Sequence, residues 1–151
     1  MAAITITTNL PEVLTGLGQS IKEMLNPNYL LRPVAIEVLP MITERIHQKG
    51  QASDGSEIGT YSNGYLRTRE EAGRGKSTKV IVSLTRQLEN NWSVLETTNG
   101  YGIGFTNPFN ADKLRWVAEA KGKVIAELSS TELDYAFDRV TELVSLAFDK
   151  K

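Results

Sequence analysis

Glycine is unevenly distributed along this chain, and its distribution limits the folds that the chain can adopt. Six of the 12 glycines lie between residues 50 and 78, among Ser, Asp and Asn residues. Glycine disfavours the interior of helices and strands because it loses the most backbone entropy on ordering. The sequence therefore predicts a long loop over 50–78, with a short helical piece near Tyr65–Glu71, and regular elements on both sides. Loops of this length in a compact domain are usually either functional or disordered until bound.

Two helical patterns precede the loop. Apolar residues recur every three or four positions over 9–25 and again over 29–49, which is the spacing of one helix face. Asn9 is a suitable N-cap, and Pro27 ends the first pattern. Pro40 removes a backbone donor inside the second, so we expect a kink or a restart there. The stripe of the first helix comprises Leu10, Val13, Leu14, Leu17, Ile21, Met24 and Leu25.

Strand patterns follow the loop. Residues 79–84 are rich in β-branched side chains and predict a strand, after which Thr85 can cap a short helical turn through Leu88. Residues 92–97 and 100–105 predict a hairpin joined through an Asn-Gly pair. In the second arm, glycines alternate with larger residues, which leaves one face as bare backbone. Such a face suits close approach by a helix or a neighbouring subunit.

Two further elements close the chain. Asn110 can cap a helix that Gly122 ends, and residues 123–128 form a short strand or an extended link. Ser129 and Glu132 have the spacing of a capping box at the start of the last helix. The order of elements predicts a single α+β domain over 1–151. It has N-terminal helices, a small, mostly antiparallel β-sheet with a hairpin, and a C-terminal helix.

Composition excludes several kinds of chemistry. The chain has no Cys and a single His, which excludes disulfides, thiolate metal sites, cysteine nucleophiles and sites built from several imidazoles. The net charge of -1 argues against a globally basic nucleic-acid binder. The sequence has no signal-peptide pattern and no run of about 20 apolar residues. We therefore expect a soluble protein, made in the cytoplasm, with no membrane contact.

No motif in the sequence predicts catalysis, a cofactor or a metal. The run Gly73–Thr78 ends like a phosphate-binding loop, but Glu70 stands where that motif needs glycine. The run Gly100–Gly104 lacks the spacing of a dinucleotide fingerprint. Glu37 and Glu44 share a helix face beside basic residues, which is typical of a solvated surface. His47 is expected to be a partner of the helix dipole or a surface residue. We predict that the chain is not an enzyme.

A basic cluster lies in the second half of the loop. Five cations face two carboxylates between residues 65 and 79, which gives a local net charge of +3. Two interpretations stay open: a solvated loop, or a surface for an acidic partner or for DNA phosphates. Trp92 and Trp116 are expected to anchor the core or a subunit interface. The cations are Arg67, Arg69, Arg74, Lys76 and Lys79.

A series of short motifs, spread over about residues 41–148, resembles one family. They are Arg45-Ile46-His47-Gln48-Lys49-Gly50, Asp54–Ser62, Tyr65-Leu66-Arg67, Leu84-Thr85-Arg86-Gln87-Leu88, the hairpin run Gly100–Asn107, the helix start Asn110–Lys113 and Glu127-Leu128-Ser129. In this order they resemble the head–tail connector and tail-completion proteins of tailed phages, in the form found in phages of Bacteroidetes, including crAss-like phages. Arg86 stands where that family often has glycine.

The resemblance implies a structural virion protein without chemistry of its own. It implies a homo-oligomeric ring of six or twelve copies at the portal–tail junction, in contact with the portal and with other neck or tail proteins. Such a ring surrounds a DNA channel, where the basic loop can face DNA or an acidic portal surface. The chain would be made in the host cytoplasm and located in the virion, with loop 50–78 mobile alone and ordered in the particle.

Nine residues are candidates for partner contact in such a ring. They are Tyr61, Tyr65, Arg67, Arg69, Arg74, Lys76, Gly102, Gly104 and Trp116. The alternative function is a small nucleic-acid-binding module that uses the basic loop over 65–79.

Overall fold

The computed structural model describes residues 18–19, 21–22, 26–98 and 100–149. Most of the helix expected over 9–25 lies outside these residues, and the four that are described are helical. The elements are α1 (Pro27–His47), α2 (Asn63–Glu71), a 3-10 turn (Glu89–Asn91), β1 (Trp92–Thr97), β2 (Gly100–Phe105), α3 (Pro108–Lys121) and α4 (Ser130–Asp149). Among the described residues, long helices thus flank one antiparallel hairpin. The predicted α+β class, the hairpin and the C-terminal helix are confirmed.

Helix α1 runs without a break through two internal prolines. The Asn26 side chain caps it by accepting from the Asn28 backbone N–H at 3.0 Å, and Pro27 stands at the first position, where a missing donor costs least. Pro33 and Pro40 lie in its interior. The restart expected at Pro40 does not occur, because packing of one face into the core outweighs the lost hydrogen bonds.

The core lies against that face of α1 and draws on most of the chain. Val38, Ile42 and Ile46 of α1 are buried together with Ala52 and Ile58 of the loop. The loop backbone is also fastened to the body, since the Ser53 N–H donates to the Val124 carbonyl at 2.9 Å. Segment 50–78 is therefore long and irregular, as expected, yet it supplies core residues. The other core members are Val34, Val80, Val82, Trp92, Leu114 and Ile125.

The strand expected over 79–84 is wrong. Only Lys79 forms a β-bridge, with Thr60, and the chain then leaves the extended region. Val82 has φ 45° and Arg86 has φ 62°, in the left-handed region that non-glycine residues rarely adopt. The helical turn expected over 85–88 lies instead at Glu89–Asn91. The described sheet therefore has two strands, not three.

The hairpin pairs β1 with β2 antiparallel, and both strands have the predicted bounds. Trp92 faces Phe105, and Thr97 faces Gly100; Asn99 of the turn lies outside the described residues. The Trp92 and Phe105 ring centroids are 4.1 Å apart. A Cβ placed at Gly100 would lie 2.8 Å from Leu31 Cδ1, so glycine there allows α1 to approach the hairpin closely.

The last two helices begin and end with clear caps. Helix α3 begins three residues earlier than expected, because its cap is Asn107, not Asn110: the Asn107 side chain accepts from the Phe109 N–H at 3.0 Å. Gly122 ends α3 at φ 59°, as expected. An extended link then leads to α4, which packs on α1.

Candidate functional site

A buried ion pair joins the start of α4 to α1. The capping box is confirmed: the Ser129 N–H donates to Glu132 Oε2 at 2.8 Å, and the Glu132 N–H donates to Ser129 Oγ at 3.3 Å. Glu132 Oε1 also accepts from Arg45 Nε at 2.7 Å. The remaining N–H groups of Arg45 donate to backbone carbonyls, among them those of Gln51 at 3.1 Å and Glu127 at 2.9 Å. The charge and the N–H groups of Arg45 thus all have partners inside the protein. The ion pair therefore links α1 to the start of α4.

His47 lies in the last turn of α1, as one of its two expected roles requires, but it is buried, so the alternative of a surface residue is wrong. The Trp92 indole Nε1–H donates to His47 Nε2 at 2.8 Å, which makes Nε2 the acceptor. The proton of the neutral ring is then on Nδ1, which donates to the Ile81 carbonyl at 3.2 Å. Burial lowers the pKa of His47 below its ordinary value of 6.5. The ring therefore links α1, β1 and the 80–84 segment as a neutral group.

Two arginines of the basic cluster point inward. Arg69 is only 1% exposed, lies 4.5 Å from the centroid of the Tyr61 ring, and donates to the Ser83 carbonyl. Arg74 Nε donates to the Leu84 carbonyl. The two carbonyls that accept from these side chains are the groups with which a neighbouring strand would otherwise form hydrogen bonds. Arg69 is therefore inaccessible to a partner surface in this structure.

The other cations of the cluster lie at the surface, and both lysines have acidic neighbours. Lys76 Nζ is 3.0 Å from Glu70 Oε1, and Lys79 Nζ is 3.1 Å from Glu57 Oε1. Arg67 is exposed. The local excess of positive charge in the sequence thus gives only a small cationic surface in the fold.

Glu37 and Glu44, the two carboxylates that the sequence places on one face of α1, have separate cationic partners. Glu37 accepts from Arg139 Nε at 2.9 Å and from the Tyr135 hydroxyl at 3.0 Å, and these contacts lower its pKa. Glu44 pairs with Lys49 at 2.9 Å. Glu37 thereby ties α1 to α4, and the two carboxylates are held apart rather than facing a common substrate.

An open groove of about 680 Å³, here called the tyrosine groove, lies between the start of α2, the 80–88 segment and α3. Three of the nine candidate contact residues line it: Tyr61, Tyr65 and Trp116. The two tyrosine ring centroids are 5.0 Å apart, and Trp116 is 57% exposed. Half of the other lining residues are aliphatic, and the rest are polar, with Lys113 and Lys121 adding positive charge.

A second open groove of about 570 Å³, here called the hairpin groove, lies between α1, β2 and α4. Gly102 lines it, and a Cβ placed there would meet no atom closer than 3.7 Å. Phe137 of α4 also lines the groove and is 68% exposed. In the sequence, Phe137 belongs to an apolar stripe with Leu133, Ala136 and Val140, a spacing that predicts burial, whereas in the structure the groove is open on that side.

The nine candidate residues therefore do not form one surface. Tyr61, Tyr65 and Trp116 share the tyrosine groove, and Gly102 lies in the hairpin groove. Gly104 lines a smaller cavity beside Trp92. Arg67 and Lys76 are exposed, whereas Arg69 and Arg74 donate to the 83–84 backbone.

Comparison of the chain with protein-family models, with curated proteins and with solved structures gives no match. Within the described ranges, no helix is both long and apolar enough to cross a bilayer. The same residues contain no group of three or more His, Asp or Glu side chains placed to hold a metal ion. The prominent surface features of the described chain are its two open apolar grooves.

Proposed function

We propose that this chain is a structural virion protein, a subunit of a homo-oligomeric ring at the portal–tail junction of a tailed phage. The observation that carries the proposal is the amount of apolar surface left open in one copy. Phe109, Trp116 and Phe137 are each more than half exposed. Contiguous apolar patches on a folded domain mark surfaces that another protein covers, and aromatic residues are enriched at the centres of such interfaces.

The arrangement of these surfaces supports a ring. A closed ring with more than two members uses two different surfaces of each subunit, one for each neighbour. The tyrosine groove and the hairpin groove have different walls: the first combines aromatic rings with lysines, and the second is mainly aliphatic. Weak contacts repeated around six or twelve copies add up to strong assembly.

The location at the portal–tail junction rests on the ordered motifs described above. Several lie at positions with clear structural roles. Arg45 anchors α4, His47 holds β1, and the Glu127-Leu128-Ser129 run leads into the capping box. A virion protein needs a rigid body that presents side chains to neighbours, and these internal contacts supply one.

A genetic test follows from the proposed role. Deleting the coding sequence from a phage that carries it should leave filled or unfilled heads and free tails that do not join. Supplying the chain from a plasmid should restore infectious particles. Joined, infectious particles in the absence of the chain would contradict a connector or tail-completion role.

The nucleic-acid alternative has less support from the geometry. Of its five cations, Arg69 and Arg74 donate to the backbone inside the fold, and the two lysines lie beside glutamates. Phosphate binding by lysine and arginine requires cations at the surface, and its strength falls as salt rises. Absence of salt-sensitive DNA binding by the free chain is the expected result.

A further inference from the structure

One wall of the tyrosine groove is a face of α3. The residues of that wall recur at helical spacing from Lys113 to Lys121, over about 12 Å. Val80, which also lines the groove, is buried in the core, but the rim is accessible, because Trp116 is 57% exposed and Tyr65 is 38% exposed. An accessible rim that carries aromatic rings is typical of the surfaces to which protein partners anchor.

The charge of the tyrosine groove is positive. Lys113 and Lys121 line it, and no Asp or Glu is among the described residues that do. Lys113 Nζ donates to Gln87 Oε1 at 2.9 Å, and Lys121 Nζ donates to the Thr60 carbonyl. Both acceptors are neutral, so these contacts leave the two positive charges in place. The groove therefore suits an apolar partner that has carboxylates along its edge.

The outer face of α4 has this complementary composition. Phe137 is 68% exposed, and the exposed Asp134 and Asp138 lie three residues before it and one residue after it. At 3.6 residues per turn, both carboxylates fall on the same side of Phe137. Arg139, the only cation in α4, pairs with Glu142 at 2.7 Å rather than with either aspartate. This face of α4, here called the Phe137 face, thus combines an exposed aromatic ring with an acidic edge.

Two copies are needed to bring the groove and the Phe137 face together. Within one copy, Phe137 lines the hairpin groove and Trp116 lines the tyrosine groove, and both rings are more than half exposed, so neither covers the other. The helices that carry them are fixed in the body, α3 through the buried Leu114 and α4 through its packing on α1. A second copy can present its α4 to the groove of the first.

We propose that the Phe137 face of α4 in one copy of this chain docks into the tyrosine groove of a second copy. Phe137 then lies against the exposed Trp116 ring, and Asp134 and Asp138 lie beside the lysines of the groove. An aromatic anchor in an apolar groove, with opposite charges at the rim, is a common mode of helix recognition.

The inference rests on the proposed function, because it names the two surfaces through which neighbouring ring subunits meet. The groove and the Phe137 face are different surfaces of the same chain. Each copy therefore gives its α4 to one neighbour and its groove to the other, which is the head-to-tail contact that closes a ring.

Crosslinking tests the contact directly, because the chain has no native cysteine. One copy carries Trp116→Cys and an affinity tag, and the other is untagged and carries Phe137→Cys. The two are mixed and treated with a short bis-maleimide, and the expected product is a tagged–untagged dimer. Phe109→Cys in place of Phe137→Cys is the matched control, since Phe109 is 71% exposed but lies on α3.

The outcomes separate this contact from other arrangements of two copies. A mixed dimer formed with Phe137→Cys but not with Phe109→Cys supports the docking. A dimer formed by Trp116→Cys alone, in an amount equal to the mixed product, shows that two grooves face each other and overturns the proposal. Equal yields with Phe137→Cys and Phe109→Cys, or no crosslink in any pair, also overturn it.

Exchange of the charges gives a second test without a crosslinker. Lys113→Glu with Lys121→Glu makes the groove acidic, and Asp134→Lys with Asp138→Lys makes the Phe137 face basic. Each double variant alone then brings like charges together and should lose the oligomers that the unchanged chain forms in light scattering. An equimolar mixture of the two should recover them, because every groove again meets an opposite charge.

A control and a fold check complete the charge exchange. Lys76→Glu changes an exposed lysine that does not line the groove and should leave the oligomers intact. Circular dichroism checks that all variants fold. Oligomers that persist in either double variant, or a mixture that does not recover them, overturn the docking but not the virion role. Crosslinked copies of a chain that is absent from particles would contradict the virion role but not the docking.

Discussion

At the residue scale, internal polar contacts decide how this fold responds to its surroundings. His47 accepts from the Trp92 indole through Nε2 and donates to the Ile81 carbonyl through Nδ1, so only the neutral ring satisfies both neighbours. Arg45, two residues earlier in α1, donates to Glu132, which is 87 positions away along the chain. The capping box could be predicted from its local spacing. The partners of Arg45 and His47 could not, because spacing carries no information about contacts over such sequence separations.

The burial of His47 predicts a pH dependence of stability. Its pKa in the folded state lies below the ordinary 6.5. At pH values between this lowered pKa and 6.5, the unfolded chain binds a proton that the folded chain does not. The free energy of unfolding therefore falls as the pH drops below about 6.5. Urea unfolding at pH 7.5 and pH 5.5 should show this loss. His47→Gln should be less stable at pH 7.5 but should show a smaller change between the two pH values; an equal change would contradict the assignment.

The Arg45–Glu132 pair predicts a large effect of a small substitution. Glu132→Gln leaves the buried Arg45 guanidinium without its countercharge, which should lower the free energy of unfolding by about 3–5 kcal/mol. Glu44→Gln is the matched control, because its pair with Lys49 lies in solvent and should contribute no more than about 1 kcal/mol. Denaturant unfolding measures both. Similar losses for the two variants would contradict a special role for the buried pair.

At the element scale, helices could be predicted more accurately than strands. Periodicity located α1 and α4 because each buries one face along its own length. The run 79–84 has strand composition, yet a strand also needs a neighbour to pair with. In this segment the side chains of His47, Arg69 and Arg74 donate to backbone carbonyls. The Tyr61 hydroxyl accepts from the Ile81 N–H. None of these contacts could be inferred from local sequence.

Arg86 offers a test of the strained segment. It has φ 62°, where a residue with a Cβ is disfavoured by about 1–2 kcal/mol, and glycine avoids this cost at the expense of about 0.5–1 kcal/mol of unfolded-state entropy. Arg86→Gly should therefore raise the free energy of unfolding by about 0.5–1 kcal/mol. Arg86→Lys, which keeps a Cβ and the charge, should bring no gain. Denaturant midpoints compare the two, and a less stable glycine variant would contradict the backbone assignment.

At the scale of the whole molecule, the fold builds a packed body and leaves apolar surface uncovered. The α+β class, the hairpin and the C-terminal helix could be predicted, because each depends on local patterns, whereas the order of elements was wrong at the strand expected over 79–84. The two grooves could not be predicted, since they form between elements distant in sequence: Tyr65 and Trp116 in one case, Leu31 and Phe137 in the other. The predicted contact set therefore included Tyr61, Tyr65 and Trp116 but also Arg69, which the fold buries.

The most direct test of the central claim is the amount of this chain in purified particles. Quantitative peptide mass spectrometry, scaled to the major capsid protein, gives the copy number per particle. The proposed role predicts a fixed, low ratio that corresponds to six or twelve copies and survives further purification. Absence of its peptides from intact particles, or a ratio that varies between preparations, would contradict a virion ring.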